Sequence, residues 1–431
     1  MKPMKSSLIF PLLLLGLLFA QEPKASYGSV ALTNATLETV TNGTQSGTLL
    51  IQDGKIAALG ADVAIPDEAE VIDCEGLTIY PGLIDGGNQV GLYEVGAVNL
   101  TVDYNEIGDI TPQAQALTAV NPNSVVIPIT RTNGVTTGLT MPKGGLFPGT
   151  AALINLHGYT PEQMHLGFKA PVMEFPSGAR RGRYDRRSDE EIEKARKKAM
   201  KELATVWEKL AEYHRIDSLA AAGEAEAPAY YPEMAALLPA YRGAQKLLIE
   251  VNAAEDIEAA IEWVAQHGVD AVFMGVAEGW RVAEAIAEAE IPVIVGSVVG
   301  GLPTRAYDRY DRAYANPGLM HAAGVKVAIR SDEAENARNL PFDAGFAAAY
   351  GMGRAEALRA VTIVPADILG VADQLGSLEV GKQATLFVAD GDPFETRTQV
   401  REVFIGGWRM PMSSRQIRLY EEFLEREPGR E

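Results

Sequence analysis

The stretch Thr78-Ile79-Tyr80-Pro81-Gly82-Leu83-Ile84-Asp85-Gly86-Gly87-Asn88-Gln89 reads as an apolar strand that runs into Pro-Gly, continues through Leu-Ile-Asp and opens into a glycine-rich turn. After it the chain alternates between two patterns. Short apolar runs of strand length lie at 124–127, 135–140, 151–156, 246–251, 271–275, 292–296 and 325–332. Helical patterns lie between them, at 188–215, 254–267, 283–289 and 317–323. The first of these helices opens with Ser188 and, three residues on, Glu191, which is the spacing of a capping box. Strands alternating with helices are what a parallel α/β barrel requires. Residues 81–375 are therefore expected to form a TIM-like (β/α)8 barrel.

On the other side of the opening stretch, residues 27–80 read as short strands joined by turns. Asp53-Gly54 between two apolar runs signals a hairpin, because both residues tolerate positive φ. Strands return at the far end, at 384–389 and 400–407. The segments 27–80 and 376–412 are expected to combine into one composite β-sandwich.

The 431 residues suffice for one large barrel with an accessory β domain. A net charge of −19 argues against nucleic acid and anionic membrane surfaces as partners. The single cysteine, Cys74, allows no intramolecular disulfide and reads as a buried small residue. Lys2 and Lys5 precede an apolar run of 13 residues from Leu8 to Ala20, too short to span a bilayer as a helix, which takes about 20 residues. Residues 1–20 are expected to be a signal peptide, which implies a secreted or periplasmic protein with no membrane contact after cleavage. An arginine cluster (Arg180, Arg181, Arg183, Arg186, Arg187) leads into the helix at Ser188, and the Ala/Glu-rich stretch 219–228 reads as a connector.

Pro81-Gly82-Leu83-Ile84-Asp85 closely resembles the signature of the metal-dependent amidohydrolase superfamily, in which it is followed by x-His-x-His. The segment 376–384 and then Asp390-Gly391-Asp392-Pro393 also resemble that superfamily's C-terminal β unit. With an export signal, the Pro/Gly-rich loop at 142–150 and the arginine-rich insertion, the chain looks like the imidazolonepropionase-like secreted amidohydrolases. The resemblance implies a barrel whose strand ends hold one or two divalent metals and hydrolyse amide-like C–N bonds.

The residues at those strand ends depart from the pattern. The resemblance places the five metal-ligand positions at Gly87, Gln89, Glu250, Ala277 and Asp332. Glycine and alanine have no donor atom and glutamine is a poor ligand. Asp332, which in the family binds metal and takes the proton of the attacking water, is the one retained candidate catalytic residue. Candidate substrate-binding residues are Gly144 and Gly145, whose loop can turn backbone N–H groups toward an anion or carbonyl, together with Glu250 and Gln89. Of the five histidines, His157 alone is a candidate for the C-terminal end of a barrel strand. Glu250 and Asp332, with Asp85, Glu278 and Glu333, offer an all-oxygen alternative suited to a hard divalent cation. Two functional readings follow. In one the chain needs no cofactor and is a binding or scaffold subunit for a small-molecule ligand or an active amidohydrolase paralogue, with oligomer formation left open. In the other it is an active amidohydrolase with a site rebuilt around Glu250 and Asp332.

Overall fold

A computed structural model of the chain describes residues 24–180, 185–301, 304–305 and 307–426. The expected signal peptide, and Arg181 and Arg183 of the arginine cluster, lie outside the described residues. Among the described residues the strands fall into two sheets.

The first sheet joins the two ends of the chain. Its N-terminal members are β1 (Ser26–Tyr27), β2 (Val30–Glu38), β3 (Thr44–Gln52), β4 (Lys55–Gly60), β5 (Glu70–Asp73) and β6 (Thr78–Pro81). The barrel strands follow as β7 (Leu83–Asn88), β8 (Val135–Thr140), β9 (Gly149–Asn155), β10 (His165–Glu174), β11 (Leu247–Val251), β12 (Ala271–Gly275), β13 (Val293–Val295) and β14 (Val327–Ile329). The chain then returns to the first sheet as β15 (Leu386–Ala389), β16 (Val400–Ile405) and β17 (Trp408–Arg409). That sheet is continuous in the order β1-β17-β16-β15-β6-β2-β3-β4, with β5 beside β2. It has its own apolar core of Leu32, Leu37, Leu49, Ile79, Leu386 and Phe404. The β3–β4 hairpin turns on Asp53 and Gly54, both at positive φ (49° and 76°). Cys74 is buried there, and burial, with Glu402 and Asp73 nearby, pushes its thiol up to about 11. A thiol that stays protonated is inert.

The second sheet is an eight-stranded, nearly closed barrel in the order β7 to β14. Its seam between β14 and β7 is bridged beyond the strand end by Asp332 N–H donating to Gly87 O at 3.0 Å. One strand departs from a strict (β/α)8 pattern: β9 runs antiparallel to both neighbours. The cause is the length of its connections. Parallel strands need a crossover of about a dozen residues or more, whereas only residues 141–148 separate β8 from β9 and only 156–164 separate β9 from β10. The run at 124–127, expected as a strand, opens a short helix instead (Val126–Arg131). The helix expected at 317–323 begins earlier, at Arg312, with Pro317 inside it.

The barrel is packed in layers, as period-two side-chain alternation demands. Ile84, Leu139, Leu153, Val172, Leu248, Val272, Ile294 and Ala328 fill the interior. One step toward the C-terminal ends, the next inward positions are Met141, Glu250, Met274, Gly296 and Arg330. That upper layer is where a barrel of this kind presents its chemistry.

Outside the barrel, the helix Asp189–Ala221 starts at the expected capping box, with Ser188 N–H donating to Glu191 Oε2 at 2.7 Å and Glu191 N–H to Ser188 Oγ at 3.2 Å. It buries Leu203, Val206, Trp207 and Leu210, one face at i, i+3, i+4, i+7 spacing. Trp207 meets Trp263 edge-on at 4.8 Å between ring centroids. The helix runs further than expected and takes in the start of the Ala/Glu-rich connector. The helix Ala254–His267 stops at Gly268, whose φ of 63° supplies a left-handed cap.

Candidate functional site

The upper layer of the barrel is organised by a residue that sequence reasoning missed. Arg330 follows β14, two positions after the inward-facing Ala328, so alternation turns its side chain into the barrel. It is 1% exposed. Its Nη2 donates to Glu250 Oε1 at 2.9 Å, with Oε2 at 2.8 Å, and lies 3.4 Å from Asp332 Oδ1. On the other side of Asp332, Lys143 Nζ stands 2.8 Å from the same Oδ1. Two cations (Arg330, Lys143) therefore meet two carboxylates (Glu250, Asp332), and the formal charge of the cluster is zero. Burial works against the charges of Arg330 and Asp332, but their mutual attraction outweighs it, with help from Glu250 and Lys143 respectively. The guanidinium is held above its usual range and the Asp332 carboxyl below the usual carboxylate range.

Glycines make room for the long side chain. A Cβ at Gly296 would lie 2.3 Å from Arg330 Cγ, and one at Gly87 would lie 2.9 Å from Arg330 Cδ and 2.8 Å from Met141 Sδ. Gly275 does the same for the partner carboxylate, since a Cβ there would come within 2.4 Å of Glu250 Oε1. Nε and Nη1 of Arg330 are buried with no hydrogen-bond partner among the described residues.

The other candidates are placed as follows. Glu250 and Asp332 come together, but on the guanidinium. Gln89 is buried; its backbone N–H donates to Glu333 O at 3.3 Å and its Nε2 has no partner among the described residues. Ala277 follows Val276, which holds a left-handed φ of 52°, as Asp332 does at 58°. A β-branched residue there is strained, so the sharp bend at the end of β12 persists although Ala277 presents no donor side chain. The N–H of Gly144 does reach an anion, but it is the chain's own Glu174 (Oε1 at 2.8 Å). Gly145 is needed for close packing, because a Cβ would lie 2.9 Å from the Asp109 backbone.

The all-oxygen pocket does not form. Asp85 is fully buried and takes bonds from the N–H and Oγ of Ser331 and the N–H of Gly87; burial pushes its carboxyl up to about 6 against those bonds. Glu278 is drawn away to Arg305, Thr304 and the N–H of Ala254 at the start of a helix. Burial opposes its charge, yet these partners bring it down to about 2. Glu333 is exposed. Among the described residues no three His, Cys, Asp or Glu side chains group as metal ligands. His157 is removed by topology: β9 runs antiparallel, so its C-terminal end lies at the opposite face of the barrel, where His157 packs 5.4 Å from Trp408.

The fit of a divalent ion can be judged from charge. An ion shared by Glu250 and Asp332 would sit about 2.0–2.6 Å from their oxygens. That leaves it roughly 4 Å from a buried guanidinium, where repulsion between +2 and +1 is on the order of 8 kcal/mol at an effective dielectric of about 20. The residues present do not fit a divalent metal.

Beside the cluster a cleft of about 480 Å³ opens at the barrel mouth, lined in part by Glu174, Ser177, Arg196, Lys198, Glu250 and Asn252. Ala195 and Ala199 of the long helix line this cleft and are not buried under protein.

Comparison with known proteins gives a consistent picture. The amidohydrolase family model matches residues 129–410. The amidohydrolase tasK of Hapsidospora irregularis is 24% identical over 396 residues, covering 84% of this chain and 39% of that protein. The imidazolonepropionase of Colwellia psychrerythraea is 38% identical over 82 residues, 14% of this chain and 20% of that protein. The chain thus spans well under half the length of either relative. The crystal structure of an amidohydrolase from Thermotoga maritima MSB8 superposes with a TM-score of 0.78 at 25% identity, over 89% of this chain and 99% of that one.

Proposed function

The chain belongs to the amidohydrolase family, and from that premise we propose that it is a non-hydrolytic member, a small-molecule-binding or scaffold subunit whose metal site has been lost. The observation that carries this reading is the donor set at the barrel mouth. Gly87 and Ala277 offer no ligand, Gln89 a weak one, and the two carboxylates are engaged by Arg330 and Lys143. Hydrolysis in this family needs a metal to lower the pKa of the attacking water and polarise the carbonyl.

The cleft supports the binding role. Its volume lies within the range of small-molecule sites, about 300–1,000 Å³, and its wall carries both charges, which suits a polar ligand. A partner for such a subunit would be a paralogue with an intact metal site or a second copy of this chain. Lys2, Lys5 and the apolar run after them support export.

Metal analysis of protein purified without chelators tests the reading. Less than a tenth of an equivalent of zinc, manganese or iron per chain is expected, with no turnover of cyclic or acyclic amides. Stoichiometric zinc that disappears in Asp332→Ala would overturn it, and would favour instead an active enzyme rebuilt around Glu250 and Asp332.

A further inference from the structure

We propose that the guanidinium of Arg330 occupies the position and supplies the positive charge of the family's metal ion, so that the barrel mouth is held together by a cation the chain itself provides. This rests on reading the barrel mouth as a former metal site, and it goes further by naming what replaced the metal.

Three independent features converge on it. The first is location. Glu250 and Asp332 stand at the ends of β11 and β14, three strands apart in the sheet, and both turn toward the one guanidinium. Without a cation between them, two part-exposed carboxylates would face each other, and their repulsion would drive one of them to take up a proton. The second is space. Gly87 stands where the resemblance implies a ligand, and a Cβ there would meet both Met141 Sδ at 2.8 Å and Arg330 Cδ at 2.9 Å; a Cβ at Gly296 would lie 2.3 Å from Arg330 Cγ. The φ of neither glycine is positive, so backbone conformation does not explain them. Room for the arginine does. The third is stoichiometry of charge: with Lys143 the cluster is neutral, as carboxylates around a divalent ion would be. Arginine suits this place better than lysine would, because its weakly hydrated, planar guanidinium tolerates burial and donates to more than one carboxylate.

The inference predicts that the mouth accepts any cation of the right size once Arg330 is shortened. Arg330→Ala should unfold at a lower temperature than the wild type. Millimolar ethylguanidinium should restore at least half of the lost melting temperature, and manganese or calcium should also raise it. The wild type should respond to neither, and tetramethylammonium at equal ionic strength should have no effect on either protein. The triple variant Arg330→Met/Glu250→Gln/Asp332→Asn removes the buried cation and both carboxylates and leaves only Lys143, which is exposed enough to stay hydrated; it should fold and be indifferent to every cation. It also keeps the test usable if Arg330→Ala is insoluble without added cation, since a soluble triple variant beside an insoluble single one is itself the expected pattern. The inference is overturned if Arg330→Ala gains nothing from ethylguanidinium or divalent ions, or if the wild type or the triple variant gains as much. Either result leaves the metal content of the wild-type protein, and with it the proposed function, to be judged separately.

Discussion

Replacing Asp343 with asparagine should stabilise the protein above neutral pH and change little below about pH 4. Asp343 lies in the helix Leu340–Ala347 and is 2% exposed. Its Oδ1 accepts from Ser297 Oγ at 3.0 Å and from Val299 N–H at 2.8 Å, and the Val298 N–H also bears on the carboxyl. These bonds anchor the turn after β13, next to the Gly296 that seats Arg330. Burial pushes the carboxyl up to about 7 against those bonds, and the nearby Asp85 adds to the rise. A carboxyl whose folded value lies above its unfolded value contributes its full stability below about pH 4, and that contribution is lost as the pH rises through about 7. At pH 8 the wild type must therefore carry a desolvated carboxylate whose cost is on the order of 2–4 kcal/mol. Asparagine keeps an Oδ1 for both bonds and has no charge to bury. Melting temperature measured from pH 4 to pH 8.5 should fall less steeply for Asp343→Asn than for the wild type, with the curves meeting at the acid end. The reasoning fails if the variant is less stable than the wild type at pH 8, or if the difference between them does not vary with pH.

Two further perturbations probe the site and its support. Gly87→His places an imidazole where the resemblance implies one: its Cβ meets Met141 Sδ and Arg330 Cδ, so a loss of about 1–3 kcal/mol from overpacking is expected, without zinc bound at one equivalent; calorimetric titration and chemical denaturation read both. Trp207→Ala, in the face of the long helix that packs on Trp263, should cost about 3–5 kcal/mol, measured by urea denaturation, with no change in ligand binding at the cleft if the helix stays docked.

Local chemistry was legible wherever neighbouring residues decide the outcome. Asp53-Gly54 made its hairpin, Ser188 and Glu191 their capping box, and Gly268 its left-handed stop, because each depends on backbone groups within a few residues. The antiparallel β9 was missed, because the run that forms β10 was not recognised as a strand and the short connection on that side was therefore not visible. For the glycine loop at 144–145 the partner was not legible, since the Gly144 N–H donates to Glu174, thirty residues away along the chain. The same holds for Glu278, whose partners Arg305 and Thr304 belong to another loop.

The opening stretch around Pro81 and Gly87 pointed to the family, and the sequence carries no histidine at the positions the resemblance implies for ligands. Those positions could not tell which side chains meet at the barrel mouth. Alternation along β14 points Arg330 inward, but its charge finds Glu250 only when β11 and β14 are brought to face each other around the barrel. Eighty residues separate that pair. Its formation is decided by barrel closure and by the low dielectric it creates, neither of which is written in any local stretch of the chain.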